Sequence, residues 1–408
     1  MRDPAPAGDS IAARPNDLVA LSAVRTPLGG FGGSSRHLPS WELGAVAIRA
    51  ALERSGVEAG AVDEVIGASC RQAGNGLNPA RTAALLAGVP PEVPAQTLNM
   101  ACPSGMKAIQ LAQLSSRSGE GTSWLACAMD SMSRIPHLVR DLRFSKKRLG
   151  DLVLEDGWND SRDPVSSLWM GETADRLAAR RGISREQQDR WALVSETRAA
   201  AADRDGLFRA EMAAVSLPAC ENRPAVELLA DETFHPGTSA EKLAALPPAF
   251  SEDGTVTAGN SCSLADGAAA MLLTTRERAA RLGVDPLFSV TAFAQTAVDG
   301  AEMGLGPSRS IPLVLERAGM RLGEIDLIEV NEAFAAQVLA GEQDLGWDPE
   351  RVNVHGGAIA LGHPTGVSGL RIVVTLAHAL RARDGEIGLA ALCGGGGVTT
   401  ALIIRRES

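Results

Sequence analysis

The chain has 408 residues, of which 45% are hydrophobic and 22% charged, which is the composition of a water-soluble globular protein with a large core. A formal net charge of −10, with 3% aromatic residues and no tyrosine, argues against a nucleic-acid-binding surface, and no apolar stretch approaches the ~20 residues of a membrane helix. The six cysteines include no C-x-x-C pair, so we expect reduced thiols and a cytoplasmic location.

The first predicted elements are a strand, a helix and a second strand that follow a polar tail. Residues 1–16 contain prolines and acids without an apolar core, which predicts a disordered tail. The apolar run Asp17–Val24 predicts a buried strand. A helix follows, with Ser40 as its N-cap and Gly56 as its C-cap, and "VDEVIGAS" predicts the next strand.

Cys102, in "ACPSGMKAI", lies directly before a predicted helix that runs from Pro103 towards Arg117. Proline is favoured at the first helical position, and the free N–H groups and dipole of a helix start stabilise an anion. This position predicts a lowered thiol pKa and a nucleophile. A buried structural cysteine is the alternative, and it is the commoner role of a lone cysteine.

The middle of the chain, from about residue 132 to 255, is rich in charge, proline and turn signals. We interpret it as an insertion that lies over the first part of the chain, where inserted loops commonly bind or cover substrates. One helix is clear within it, opened by Ser184 with Gln187 completing a capping box. The small residues of Thr255–Leu273 indicate either close packing on a ligand or a tight loop before a buried strand.

The last third of the chain carries three motifs suited to chemistry. Asn331 follows a predicted strand and is either a turn residue or a group that orients a water molecule. His363, in "ALGHPTGVSG", precedes a helix pattern that favours a neutral imidazole able to accept a proton, although it could also cap its own turn. In "LCGGGG", a strand ends in Cys393 and four glycines, whose N–H groups can approach a ligand as an oxyanion site requires. A phosphate loop is discounted because no Gly-Lys-Ser/Thr follows, and no cluster has metal-ligand spacing.

The first and last parts of the chain repeat each other. "LERSG" at Leu52–Gly56 returns as "LERAG" at Leu315–Gly319. The number of residues between these two segments is nearly the same as the number between Cys102 and His363. We infer two copies of one layered α/β unit, roughly residues 17–130 and 285–406, with helices on both faces of mainly parallel sheets. If the copies pack about a pseudo-twofold axis, Cys102 and His363 meet as a nucleophile and a base.

These motifs together resemble those of the thiolase family. "NMACPSGMKA" is similar to its nucleophile motif, "NEAFA" to its asparagine motif, "VNVHGGAIALGHPTGVSGLR" to its histidine motif and "LCGGGG" to its second-cysteine motif. The resemblance runs from about residue 17 to 406. It implies the duplicated, layered α-β-α-β-α thiolase fold, with an N-terminal half at 17–277 that carries the loop-domain insertion and a C-terminal half at 285–406.

The resemblance also implies a role for each site residue. Cys102 is then the acylated nucleophile, His363 its base, and Cys393 the acid/base that acts on the α-carbon of the second acyl group. Asn331, through a water molecule, and His363 form one oxyanion site, and the N–H groups of Cys102 and Gly395 form the other. The implied substrate-binding residues are Trp169, Met170, Phe250, Cys262, Met303 and Phe334.

Four positions depart from the family pattern. Trp169 replaces a histidine and Cys262 a serine, both near the substrate, while His355 replaces an asparagine and Thr399 a glycine. None of these departures removes a catalytic group, but together they leave the choice of substrate open.

The implied activity is that of an acyltransferase that condenses acetyl-CoA or cleaves 3-ketoacyl-CoA, with coenzyme A thioesters as substrates and no metal or cofactor. A homodimer or homotetramer, and a role in fatty acid metabolism, are also implied. The alternatives are a thiolase-fold ketosynthase-type condensing enzyme and a non-catalytic lipid-binding relative. Both would lack the complete set of Cys102, His363 and Cys393.

Overall fold

The computed structural model describes residues 14–140, 142–144, 151–219 and 224–407. Most of the tail predicted to be disordered, residues 1–13, lies outside this range, as does Cys220. The last three residues assigned to the tail instead form a turn that is bonded to the folded chain. In this turn the carbonyl of Pro15 accepts from the Glu277 N–H, and the carbonyl of Asn16 accepts from Ser116 Oγ.

The strands alternate with helices along the described chain. The strands are β1 (Leu18–Arg25), β2 (Gly29–Gly30), β3 (Glu64–Ala68), β4 (Ala95–Leu98), β5 (Ser123–Ser131), β6 (His137–Leu138), β7 (Glu155–Asp156), β8 (Val215–Leu217), β9 (Val226–Leu228), β10 (Ala265–Thr275), β11 (Phe288–Ala297), β12 (Leu327–Val330), β13 (Ile387–Cys393) and β14 (Val398–Arg406).

The helices are α1 (Ser40–Ser55), α2 (Pro79–Leu86), α3 (Ser104–Ser118), α4 (Met170–Arg181), α5 (Arg185–Arg204), α6 (Ala240–Ala244), α7 (Arg276–Leu282), α8 (Gly306–Ala318), α9 (Ala335–Leu345), α10 (Ala358–Leu361) and α11 (Thr365–Ala382).

A large sheet runs through the molecule in the order β12-β13-β14-β11-β1-β10-β5-β3-β4. Its two halves meet where β1 pairs with β11, the equivalent strand of the second copy. Helices α3 and α11 pack between the two halves of the sheet, α1 and α2 cover the outer face of the first half, and α8 covers that of the second. The predicted five-layer arrangement is therefore confirmed.

The expectation of mainly parallel sheets is wrong. Among the described strands, only β3 with β4, β3 with β5, and β12 with β13 run parallel, whereas the long strands β10 and β14 pair antiparallel with both of their neighbours. In the second half of the sheet, β13 and β14 are antiparallel because of the glycine-rich turn after Cys393. It closes a hairpin between β13 and β14 and reverses the chain, where a helical crossover would have kept the strands parallel.

The repeated "LER" sequences end equivalent helices in the same way. Both α1 and α8 stop at a glycine in the left-handed conformation, with φ 66° at Gly56 and φ 65° at Gly319. The predicted N-cap of α1 is wrong by one residue: Ser40 is its first helical residue, and Pro39 occupies the cap without a side-chain hydrogen bond.

The helices of the insertion lie on the second copy rather than on the first. Helix α4 packs on α9, and α5 packs on α9 and α10. Other parts of the insertion do reach the first copy: buried Arg25 on β1 binds Asp231 and Glu211, and the Arg71 guanidinium stacks over Trp158. Ser184 caps α5 with Gln187, as predicted. Helix α4 was missed because its buried face consists mostly of small or polar residues, with Leu177 as its only large apolar side chain.

The central helices α3 and α11 cross at glycines. A Cβ atom on Gly105 would lie 2.6 Å from the Leu370 backbone nitrogen, and one on Gly369 would lie 2.7 Å from that of Met106. Both distances are far below a van der Waals contact, so the two helices touch backbone to backbone. Cys102 lies two residues before α3 and His363 two residues before α11, so this crossing brings them together.

We expect Gly369→Ala to push α3 and α11 apart, because its Cβ meets backbone rather than a side chain that could move. The cost should be about 1–3 kcal/mol of unfolding free energy, as for other overpacked sites, and activity should fall by about a hundredfold as the reacting groups separate. Urea unfolding and a steady-state assay measure the two effects. Gly323→Ala is the matched control, since a Cβ there meets nothing within 4 Å. If both variants match the wild-type protein, the crossing does not constrain the site.

Candidate active site

The turn before α3 presents Cys102. Ala101 has φ 53°, a left-handed conformation that is uncommon for alanine and marks a constrained turn. Ser104 holds this turn from inside: its Oγ accepts from the Met100 N–H at 2.7 Å and donates to the Ala101 carbonyl at 2.5 Å. The Cys102 thiol is thereby fixed at the N-terminal end of α3.

The imidazole of His363 faces this thiol. Its Nε2 lies 3.2 Å from Cys102 Sγ, so the predicted meeting of the two residues is confirmed. Its other nitrogen, Nδ1, lies 2.6 Å from the hydroxyl of Ser368 in the first turns of α11. With both nitrogens engaged and the side chain buried, the ring is held in one orientation towards the thiol.

Burial sets the charge of this pair. It lowers the pKa of His363 to about 3, with smaller contributions from Arg371 and Arg71. It also raises the pKa of Cys102, and the hydrogen bond from the Gly395 N–H to the thiolate only partly opposes this effect. The lowered Cys102 pKa that the helix start predicted is therefore wrong, because desolvation outweighs the helix end. The resting pair is a neutral thiol beside a neutral imidazole that can take its proton.

Cys393 is the second thiol at the site. It is the last residue of β13, directly before the Gly394–Gly397 turn, and burial followed by the Cys102 charge raises its pKa to about 12. Cys393 is thus a protonated thiol at neutral pH, and its thiolate would be a strong base. The same turn brings Gly395 N–H to Cys102.

Both thiols open onto one cavity of about 590 Å³. Every predicted site residue lines it except Asn331; these are Cys102, Trp169, Met170, Phe250, Cys262, Met303, Phe334, His363, Cys393 and Gly395. They come from both copies and from the insertion, so the cavity exists only once all three parts have packed together.

One wall of the cavity is apolar. Met303, Phe334 and Cys393 form a buried cluster against which Met170 packs. Phe250 meets Phe334 edge to face, with ring centroids 6.0 Å apart. The wall suits the hydrocarbon part of a ligand that reacts beside the thiols.

Asn331 lies behind the cavity rather than in it. Its backbone N–H donates to the Ala391 carbonyl at 3.0 Å, but both polar atoms of its buried side-chain amide have no partner among the described residues. Such an amide needs a water molecule or a ligand to satisfy it. The next residue is fixed more fully, because Glu332 accepts from Trp191 Nε1 and Ser195 Oγ in the insertion.

Sequence reasoning missed two residues that hold the site. Ser368 carries a recognisable signal, since it follows His363 by five residues and its hydroxyl reaches back to the ring. Asp130, near the end of β5, gives only the weak signal of an acid in an apolar strand. Its buried carboxylate accepts from the N–H groups of Cys70 and Gly366, so it joins the loop after β3 to the start of α11.

Two of the four departures from the family pattern lie away from the cavity. His355 is buried against the edge of the Phe208 ring, with centroids 6.2 Å apart. Thr399 Oγ1 donates to the Leu392 carbonyl at 2.9 Å on the neighbouring strand. Only Trp169 and Cys262 line the cavity and can touch a substrate.

Two features are absent from the part of the chain that the structure describes. No group of three or more His, Cys, Asp or Glu side chains there could hold a metal ion. Within the same part of the chain, no helix has both the length and the apolar character to cross a membrane.

Comparison with known proteins identifies the family. The thiolase N-terminal domain matches residues 18–277, and the thiolase C-terminal domain matches residues 284–406. Acetyl-CoA acetyltransferase of Pseudomonas aeruginosa is 46% identical over 396 residues, which span 96% of this chain and 100% of that protein. A probable acetyl-CoA acyltransferase of Staphylococcus aureus is 43% identical, over 95% of this chain and 99% of that protein.

Solved structures agree. Human mitochondrial 3-ketoacyl-CoA thiolase superposes with a TM-score of 0.92 at 38% identity, over 97% of this chain and 100% of that one. Bacillus anthracis acetyl-CoA acetyltransferase also gives a TM-score of 0.92, at 41% identity, over 96% and 98% of the two chains. The chain belongs to the thiolase family. It is an acyltransferase, and its predicted fold is confirmed.

Alkylation by iodoacetamide should show the electrostatics of the pair. We expect Cys102 to be labelled before the other described cysteines and acetyl-CoA to protect it. Because burial raises its pKa and keeps His363 neutral, the labelling rate should climb from about pH 6 to about pH 9 without an inflection near the ordinary histidine value of about 6.5. Peptide mass mapping at each pH measures the rate.

Cys127 is the internal control for this experiment, since it is fully buried on β5 outside the cavity. Labelling of Cys127 ahead of Cys102, with activity lost in step, would contradict the assignment of the nucleophile.

Proposed function

We propose that this thiolase transfers acyl groups between coenzyme A thioesters through an acyl-cysteine on Cys102, condensing acetyl-CoA or cleaving 3-ketoacyl-CoA. The observation that carries the proposal is the 3.2 Å contact of Cys102 Sγ with His363 Nε2 in a cavity that Cys393 also lines. Acyl transfer through an acyl-cysteine takes place in two half-reactions. These need one thiol beside a base and a second thiol close to the first.

In the first half-reaction, His363 Nε2 takes the proton of Cys102 as the sulfur attacks the thioester carbonyl. The tetrahedral intermediate collapses, the coenzyme A thiolate leaves and takes the proton of the Cys393 thiol, and an acyl-cysteine remains while the proton from Cys102 stays on His363 Nε2. The hydrogen bond that Gly395 N–H makes to Cys102 supports its place, with Cys102 N–H, in the oxyanion site for this carbonyl.

In the second half-reaction, the Cys393 thiolate formed in the first removes a proton from the α-carbon of acetyl-CoA. The resulting enolate attacks the acyl-cysteine and expels the Cys102 thiolate, which takes its proton back from His363 Nε2. The high pKa of Cys393, about 12, suits this step because a thioester α-proton is weakly acidic. The enolate oxygen then needs donors, for which we assign His363 Nε2–H and a water molecule held by Asn331. Losing one such donor typically costs about 3–4 kcal/mol of barrier stabilisation.

The side-chain amide of Asn331 has no hydrogen-bond partner among the described residues. This supports the assignment, because a buried amide can both donate to and accept from a water molecule. Thiolytic cleavage is the same sequence in reverse. The ketosynthase alternative is not favoured, since it does not use a second catalytic cysteine in the place of Cys393. The lipid-binding alternative would leave the aligned Cys102–His363 pair without a purpose.

The names of the relatives support coenzyme A thioesters as substrates, since both the P. aeruginosa and human proteins are named for them, and one structure of the human enzyme is a complex with CoA. We propose that no additional cofactor takes part. A cytoplasmic location, assembly as a homodimer or homotetramer, and a role in fatty acid metabolism stay predictions of the resemblance.

Trp169 should set acyl-chain preference, because it lines the cavity next to Met170 on the apolar wall. We expect Trp169→His, which shrinks the side chain, to change the relative kcat/KM across a series of 3-ketoacyl-CoA chain lengths without abolishing turnover. Trp41→His on α1, outside the cavity, is the control and should keep the wild-type profile. An unchanged profile for Trp169→His would mean that this side chain only packs within the insertion.

The two cysteines should separate by half-reaction. Cys393→Ala should still accept a radiolabelled acetyl group from acetyl-CoA onto Cys102, yet lose condensation and thiolysis by about 10⁴-fold, the upper end for a positioned acid/base group. Cys102→Ala should fail at acetylation itself, and His363→Ala should damage both steps. Acetyl trapping and a condensation assay on the same samples measure the two halves.

Cys127→Ala is the matched control, since this buried cysteine on β5 does not line the cavity. It should behave as the wild-type enzyme in both assays. A condensation rate for Cys393→Ala close to that of the wild-type enzyme would contradict the two-cysteine mechanism.

A further inference from the structure

One cation in the wall of the active-site cavity takes part in neither half-reaction. Arg71 lies in the loop after β3 and lines the same cavity as Cys102. Its neighbour Cys70 has its Sγ 2.9 Å from the carbonyl of Ala101, the residue before the nucleophile. The backbone N–H of Arg71 is bound by the Asp130 carboxylate, so the loop is fixed beside the reacting centre.

The guanidinium of Arg71 is oriented but not neutralised. It stacks over the Trp158 ring at 4.6 Å from the ring centroid, and its Nη2 donates to Ser161 Oγ. Its Nε is buried and has no acceptor among the described residues. In that same part of the chain, no carboxylate lies within ion-pair distance of it.

The acids of the cavity are already engaged elsewhere. Asp160 pairs with Arg140, and Asp163 accepts from the hydroxyl and N–H of Ser166. The other cation of the wall, Arg162, turns its Nε to the Ser167 carbonyl. The positive charge of Arg71 therefore acts on the reaction space, and its field lowers the pKa values of both Cys102 and His363.

We infer that Arg71 binds an anionic group at the far end of the acyl chain, and that the preferred substrates are 3-ketoacyl-CoA thioesters with a terminal carboxylate. This inference rests on the proposed function. A planar guanidinium that is fixed by stacking and not neutralised by an acid can bind a carboxylate through its remaining N–H donors.

The phosphates of coenzyme A offer similar anionic chemistry. They are separated from the reacting sulfur by the whole pantetheine arm, however, whereas Arg71 lies one residue from a contact to the nucleophile turn and its charge reaches both catalytic groups. The acyl chain is the part of the substrate that begins at Cys102, so its end is the nearer partner.

The test compares thiolysis of 3-ketoadipyl-CoA and 3-ketohexanoyl-CoA, which have equal carbon number and end in a carboxylate and a methyl group. The wild-type enzyme should show the higher kcat/KM with the carboxylate probe. Arg71→Leu should lower the ratio of the two kcat/KM values by about tenfold to a hundredfold, the range expected for a hydrogen bond to a charged group. Arg71→Lys keeps the charge without the planar guanidinium and should fall between the two.

Arg134→Leu is the matched control, because it removes the same charge from an exposed position that does not line the cavity. Its ratio should equal that of the wild-type enzyme. Pantetheine thioesters of the same two acyl groups, which carry no phosphate, separate the two anions. If Arg71→Leu lowers kcat/KM equally for both coenzyme A probes but leaves both pantetheine thioesters unaffected, Arg71 serves the coenzyme A phosphates and the inference is overturned.

Two other outcomes overturn it while leaving the proposed function intact: wild-type thiolysis of both probes without a preference, or an equal loss with both probes in Arg71→Leu, as expected if Arg71 only tunes the Cys102 thiol. Absence of thiolysis with any 3-ketoacyl-CoA would instead contradict the proposed function. If Arg71→Leu fails to fold, product inhibition of the wild-type enzyme decides, because succinyl-CoA should inhibit more strongly than butyryl-CoA.

Discussion

The contact on which this molecule depends is made without side chains. Where α3 and α11 cross, Gly105 and Gly369 let two helix backbones touch, and the layers of the fold are arranged around that contact. Each half of the sheet has one face against these helices, and each helix is preceded by a reactive residue. The 3.2 Å separation of Cys102 and His363 is thus a result of helix packing, not of a flexible loop that closes on a substrate.

The same packing removes water, and desolvation then determines how the site works. It depresses the basicity of His363 and makes both reactive thiols poorer acids, so no group at the reacting centre carries a charge at rest. Charge develops only while a substrate is bound, when donors such as Gly395 N–H can meet it. The acyl wall and Arg71 surround this neutral centre with one apolar and one cationic surface.

Much of this arrangement could be predicted from the sequence. The recurrence of "LER" followed by glycine revealed the duplication, and its two glycines do end equivalent helices. Proline after Cys102 and after His363 located two helix starts. The antiparallel pairing of β13 with β14 was missed although the sequence carried its signal, because the four residues of Gly394–Gly397 are too few for the crossover that parallel strands require. The direction of β10 could not be predicted, because the insertion separates it from β5 along the chain. Nor could local sequence show that α4 packs on α9, or that burial outweighs the helix end at Cys102, because both depend on distant residues.

The pairing of β1 with β11 has a consequence for how the site could arise. Equivalent strands that pair antiparallel across an axis are the geometry of a subunit interface, here contained within one polypeptide. Two identical subunits would place the same residue at both helix starts, either two cysteines or two histidines. Joining the copies in one gene lifts that restriction and allows a division of labour, in which one copy supplies the nucleophile and the other its base. The asymmetry of the chemistry is therefore available only to the fused chain.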